Sequence, residues 1–203
     1  MKTLLITGFE PFGGQNINPA WEAVSLLPDR IGDREIHKLR VPVVYEEAAS
    51  RTKEAAGKLS PDFVICVGQA GGRSSITPEM IAVNLRYAKL PDNAGVLLKD
   101  VPIRAGGAPA FFATLPVRKM AEKVSEAGIP ASVSLSAGAF VCNDLFYLMS
   151  EHFAGTKTGV AFIHVPFLPE QAEDGRYPSL PLDDMVRALT LCIGCLSSGD
   201  DVI

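Results

Sequence analysis

Asp62-Phe-Val-Ile-Cys-Val-Gly-Gln-Ala-Gly-Gly-Arg73 (DFVICVGQAGGR) is the stretch on which the fold turns. Asp62 to Val67, short, apolar after its first residue, preceded by a proline and followed by a glycine, reads as a strand buried on both faces. Strands covered on both faces belong to mainly parallel sheets flanked by helices. The glycine-rich loop that follows then lies at the carboxyl edge of the sheet, where open α/β proteins bind ligands.

Similar runs lie on either side of this stretch. Thr3–Thr7, Ala131–Leu135 and Gly159–Val165 read as further buried strands, Glu35–Val44 as another, and Ile76–Leu85 as a sixth candidate. Helical spacing alternates with them. Asn18-Pro19 supplies an N-cap and a first-turn proline for a helix through Trp21 and Val24. Apolar residues recur with helical period from Tyr45 to Leu59, from Val117 to Val124 and from Leu182 to Leu196. The expected architecture is a single catalytic domain over residues 1–203, an α/β/α sandwich around a mainly parallel, twisted sheet. The glycine- and proline-rich stretch 90–110 is an excursion within it.

Composition narrows the function. The chain has 203 residues, a formal net charge of −4 and no basic run interleaved with aromatics, which argues against a nucleic-acid partner. No apolar segment reaches membrane-spanning length, and the four cysteines, Cys66, Cys142, Cys192 and Cys195, do not make a disulfide framework. A cytoplasmic protein without membrane partners is expected. The loops Gly8–Gly14 and Gly68–Arg73 lack both the P-loop ending and the dinucleotide spacing. Phe9 and Phe12, held between glycines, either plug the top of the core or face a flat apolar ligand.

Cysteine and histidine carry the chemistry. Cys192 and Cys195 form a CxxC inside a helix, a packing position, and Cys66 is mid-strand core. His37 and His152 have structural explanations, whereas His164 ends an apolar strand at the ligand-binding edge. In Ser136–Tyr147 (SAGAFVCNDLFY), Cys142 starts an apolar helical stripe with Leu145, Phe146 and Met149, and so fits a core position. It also occupies the first turn, where free N–H groups and the macrodipole favour a thiolate and can hold an oxyanion. A nucleophilic cysteine needs a base and the base an orienting acid; His164 and Glu79 are the candidates, with Glu10 a weaker one and Asp144 directed elsewhere.

TGFEPFGGxxxNPxW (Thr7–Trp21), VGQAGGR (Val67–Arg73), ITPE with IAVN (Ile76–Asn84), PDNAG (Pro91–Gly95), SAGAFVCNDLFY and FIHVPFLPEQ (Phe162–Gln171) occur in one order. Together they resemble the pyroglutamyl-peptidase I family of cysteine peptidases. The resemblance implies hydrolysis after an N-terminal pyroglutamyl residue, with Cys142 as nucleophile, His164 as base and Glu79 as orienting acid. It implies that Phe9 and Phe12 hold the pyroglutamyl ring, that backbone near Gln69 bonds its lactam, and that Phe140 and Val141 wall the pocket. It further implies no cofactor or metal, N-terminally pyroglutamylated peptides as substrates and a homotetramer. Met80 and Lys89 stand where the family pattern carries arginines. Lys89 becomes a candidate contact to the scissile carbonyl that keeps the charge and loses the planar fork. The departures leave open a catalytically impaired paralogue that only binds such peptides, and fold analogy alone leaves open an amidase or phosphorylase.

Overall fold

The apolar run at Phe63 forms the centre of the sheet because it has no polar face to show to water. The computed structural model describes residues 1–172 and 175–196, so 197–203 of the expected domain lie outside the described residues. In chain order the elements are β1 (Lys2–Phe9), α1 (Pro19–Ser25), β2 (Arg30–Ile31), β3 (Arg34–Val41), α2 (Glu47–Leu59), β4 (Phe63–Gln69) and β5 (Thr77–Glu79). Then come β6 (Ile81–Val83), β7 (Ala110–Phe112), α3 (Val117–Glu126), α4 (Val141–Phe153), β8 (Gly159–Val165), a 3₁₀ turn (Pro169–Gln171) and α5 (Leu182–Gly194). The main sheet runs β2-β3-β1-β4-β8-β5, and β6 pairs with β7 beside it. Strands β3, β1, β4 and β8 are parallel; β2 and β5 join the two edges antiparallel. This is a single α/β domain with a mainly parallel central sheet.

Two glycines fix the layers on either face. In β1, Gly8 pairs with Val67, and a Cβ on Gly8 would meet Trp21 and Ala20 of α1 at 2.8–2.9 Å. Gly68 faces the other way, since successive strand residues alternate, and a Cβ there would meet Cys142 Sγ of α4 at 2.9 Å. Helix α1 packs with α5, and α5 with α3; α2 packs with α4 on the opposite face. Between them Val64, Ile65, Cys66, Val67, Phe162 and Ile163 are fully buried. Each large apolar side chain so placed contributes about 1.5–3 kcal/mol.

The local signals hold where they are strongest. Asn18 caps α1, its Oδ1 accepting from the Ala20 N–H at 3.0 Å, and Pro19 opens the helix. Strand β3 stops at Val41, short of the expected Val44, because Pro42 has no N–H for the ladder. Two expectations change. Ala131–Leu135 forms no regular strand: it meets β5 only through isolated bridges at Ala131 and Ser134, since Pro78 in the middle of β5 cannot donate to it. The single strand expected over 76–85 splits at Met80, whose N–H goes to Ser134 and whose carbonyl accepts from Ala113, so β5 and β6 belong to different sheets.

Candidate active site

Parallel register assembles the site. His164 lies opposite Gly68 on one side and Thr77 on the other, so their side-chain positions share one face of the sheet. Glu79, two residues along β5, returns to that face, and its Oε1 lies 2.7 Å from His164 Nδ1. Gly68 leaves room above the sheet, and Cys142 Sγ occupies it. Cys142, His164, Phe9, Phe12, Gln69 and Phe140 line one cavity of about 200 Å³.

The first turn of α4 has no side-chain cap, and Phe140 at the N-cap leaves the early N–H groups free of one. The turn is held by two side chains just beyond the cysteine. Asn143 accepts from the Val83 N–H at 2.9 Å and donates to the carbonyls of Val83 and Leu85 at 2.8 and 3.0 Å. Asp144 accepts from the Glu46 N–H at 2.8 Å and from Arg86 Nε at 2.6 Å. Asp144 is therefore a brace and not part of the cavity, as its spacing from Cys142 suggests. Glu10 is likewise occupied, accepting from Asn93 Nδ2 at 3.2 Å.

The electrostatics contain a correction. Burial pushes the Cys142 thiol up to about 12, the Glu79 carboxylate adds to the rise and the Arg73 guanidinium opposes it. The lowering expected from the helix N-terminus is outweighed, because half a charge at a helix end cannot replace the lost hydration of a buried thiolate. Burial likewise lowers His164, against the Glu79 hydrogen bond and charge that hold it up. For Glu79, burial works upward, yet the His164 hydrogen bond and charge together with Arg73 leave it below its ordinary value. The resting constellation is thus a thiol, a neutral imidazole and a carboxylate.

The other expected contacts divide. Phe12 packs on Phe140 with centroids 6.1 Å apart, and Tyr45 holds Phe140 edge-on at 5.6 Å. Phe9 is both buried and part of the cavity wall, so the plug and the wall are one residue. Gln69 Oε1 accepts from Gln171 Nε2 at 3.1 Å, which ties the loop after β4 to the one after β8. Two expectations are corrected. Val141 is fully buried and outside the cavity lining, because one residue along a helix turns its side chain about 100° from Cys142. Lys89 is exposed and also outside the lining, next to a buried Ala88 whose N–H bonds the Leu98 carbonyl.

Sequence reasoning passed over Arg73, which lines the cavity and donates from Nη1 to Glu79 Oε1 and to Thr77 Oγ1, each at 2.6 Å. The available signal was its place at the end of the glycine loop. Asn18, Ala70 and Ala137, which lie within the motifs, and Val43, which no motif contains, also line the cavity.

Comparison with known proteins places this geometry among relatives. A family model described as pyroglutamyl peptidase matches residues 1–198. The chain is 50% identical over 194 residues to a pyrrolidone-carboxylate peptidase of Lactobacillus helveticus, covering 94% of this chain and 96% of that one. A pyrrolidone-carboxylate peptidase of Aliivibrio fischeri is 44% identical over 204 residues, covering 100% and 96%. Among solved structures, the pyroglutamyl peptidase I of Bacillus amyloliquefaciens superposes with a TM-score of 0.93 at 42% identity, covering 96% of each chain.

Proposed function

The chain belongs to the pyroglutamyl peptidase family, and on that premise we propose that Cys142, His164 and Glu79 are the residues with which it removes N-terminal pyroglutamyl residues from peptides. It is a cysteine peptidase. The observation that carries the assignment of residues is the pair His164 Nδ1–Glu79 Oε1 at 2.7 Å, on the cavity that Cys142 also lines.

The geometry supports a sequence of proton movements. Glu79 accepts from Nδ1–H and so leaves Nε2 of the neutral imidazole as the base. Cys142 Sγ attacks the pyroglutamyl carbonyl as Nε2 takes the thiol proton, and free N–H groups of the first turn of α4 receive the oxyanion. The C–N bond breaks as His164 returns the proton to the leaving amine. Water, deprotonated by His164, then cleaves the thioester and restores the thiol. A high thiol pKa suits this path, because the thiolate forms only as the carbonyl carbon receives it.

Recognition follows from what pyroglutamate lacks. It has no ammonium group, so a neutral slot suffices, and Phe9, Phe12 and Phe140 supply apolar walls while backbone near Gln69 supplies polar contacts to the lactam. The impaired-paralogue alternative rested on Met80 and Lys89. Met80 is buried in the core and Lys89 lies outside the cavity, so neither observation favours it.

The active form is a homotetramer in the cytoplasm. Leu85, Tyr87, Leu90, Val96 and Leu97 lie exposed on the excursion between β6 and β7, which supports burial against another subunit. All four cysteines are free, which suits a reducing compartment. Among the described residues no helix is long and apolar enough to cross a membrane.

The test is release of aminomethylcoumarin from its pyroglutamyl amide. Cys142→Ser is expected to abolish release with an unchanged circular dichroism spectrum. Undiminished turnover in that variant rules out Cys142 as the nucleophile. Light scattering at micromolar protein tests the tetramer, and a monomer of full activity rejects it.

A further inference from the structure

Glu79 is fully buried, and its Oε1 is shared by two donors on different elements, His164 Nδ1 and Arg73 Nη1. With His164 neutral, only the arginine of these two carries a full positive charge. The same guanidinium reaches further: Nη1 also donates to Thr77 Oγ1 at 2.6 Å, and Nη2 to the Ser136 carbonyl at 3.3 Å. Ser136 begins the segment whose Ala137 and Phe140 wall the cavity and which runs directly into Cys142. One planar fork therefore spans the loop after β4, strand β5 and the chain entering α4.

We propose that Arg73 is a positioning residue of the reaction, holding Glu79 as the anion that orients His164 and bracing that carboxylate to the wall that leads into Cys142. The proposal rests on the preceding assignment of the three residues.

A lysine could supply the charge from a single nitrogen but not the planar fork that reaches Glu79 and Thr77 from Nη1 and Ser136 from Nη2, and a neutral residue could not supply the charge. The charged and titratable groups around His164 are few. Glu79 faces it from β5 and Arg73 from the loop, Cys142 shares its cavity from α4, and β4 contributes only Gly68 at the facing register position. Cys142 is influenced by Glu79, by Arg73 and by the buried Cys66. Arg73 repels a proton on His164 and favours the thiolate of Cys142. Removing its charge therefore moves both titrations to higher pH.

The experiment compares Arg73→Met and Arg73→Lys with the unaltered protein in two readouts. One is the pH profile of kcat/KM on the pyroglutamyl amide; the other is the pH profile of Cys142 alkylation by iodoacetamide. Arg73→Met is expected to lose about ten- to a hundredfold in kcat with little change in KM. Its acid limb and its alkylation profile both move to higher pH. Arg73→Lys is expected to keep both profiles in place and recover part of kcat. If Arg73→Met does not fold, Arg73→Gln removes the charge while retaining donors, and reads the same shifts. Profiles that stay in place, or a loss confined to KM, overturn the proposal and leave Arg73 as a wall of the cavity. Alkylation needs no pyroglutamyl substrate. A shifted alkylation profile in a protein that releases no product supports the role of Arg73 and counts only against the assigned reaction.

Discussion

Gly68→Ala tests the contact on which the site is built. The added methyl would lie 2.9 Å from Cys142 Sγ and 2.8 Å from Phe162 Cζ. Non-bonded heavy atoms settle at about 3.5–4.0 Å, so both contacts must lengthen by roughly 0.6 Å or more. Phe162 is fully buried and backed by Phe146 at 5.9 Å, whereas Cys142 borders the cavity. The methyl is therefore pressed away from Phe162 toward the cavity side, and the sulfur is displaced with it. Overpacking of this kind costs about 1–3 kcal/mol of stability. A displacement approaching 1 Å at a reacting atom costs up to about a hundredfold in rate. Gly68→Ala is therefore expected to lower kcat on a pyroglutamyl aminomethylcoumarin amide about ten- to a hundredfold, with KM nearly unchanged and Tm lower by several degrees. Wild-type kcat in a folded Gly68→Ala protein would refute the claim that Gly68 sets the working position of Cys142 Sγ.

Glu79→Gln keeps the shape of the acid and removes its charge; kcat is expected to fall about 10²–10⁴-fold with the fold retained, and a loss under threefold would remove Glu79 from the reaction. Asn143→Ala cuts three hydrogen bonds from α4, two to Val83 of β6 and one to Leu85 just beyond it, and chemical denaturation should show a loss of about 2–4 kcal/mol, accompanied by lower kcat. Stability should also fall with acid. The folded values of His164 and Glu79 lie below their ordinary 6.5 and 4.5, so their contributions are present above those values and lost as pH falls. Tm measured from pH 7.5 to 4 should decline first below about 6.5, and His164→Gln should flatten that first decline, leaving the smaller share of His152, which burial also lowers. A slope unchanged by His164→Gln would mean that His164 is not held neutral by the fold.

The parts of the fold legible in the chain are those written in short-range pattern. Phe63–Gln69 and Gly159–Val165 read as strands because no polar alternation interrupts them, and Asn18-Pro19 marks a helix start because cap and proline need only their nearest neighbours. The 131–135 segment misled because its own residues suit a strand; what prevents the ladder is Pro78, more than fifty positions earlier. Val141 misled for a similar reason. Adjacency to Cys142 in sequence is separation around the helix in space.

Sequence alone determined the candidate cysteine, histidine and glutamate of the proposed site, their places at strand ends and at the first turn of a helix, and the order of motifs that marks the family. Only the tertiary structure decided that His164 pairs with Glu79, that burial pushes the Cys142 thiol up, and that Arg73 belongs beside Glu79. The reason is the range of the interactions. Helix and strand periods are set by neighbours within a few positions, whereas Glu79 and His164 are 85 residues apart, and their charge states depend on burial and register that no local stretch contains.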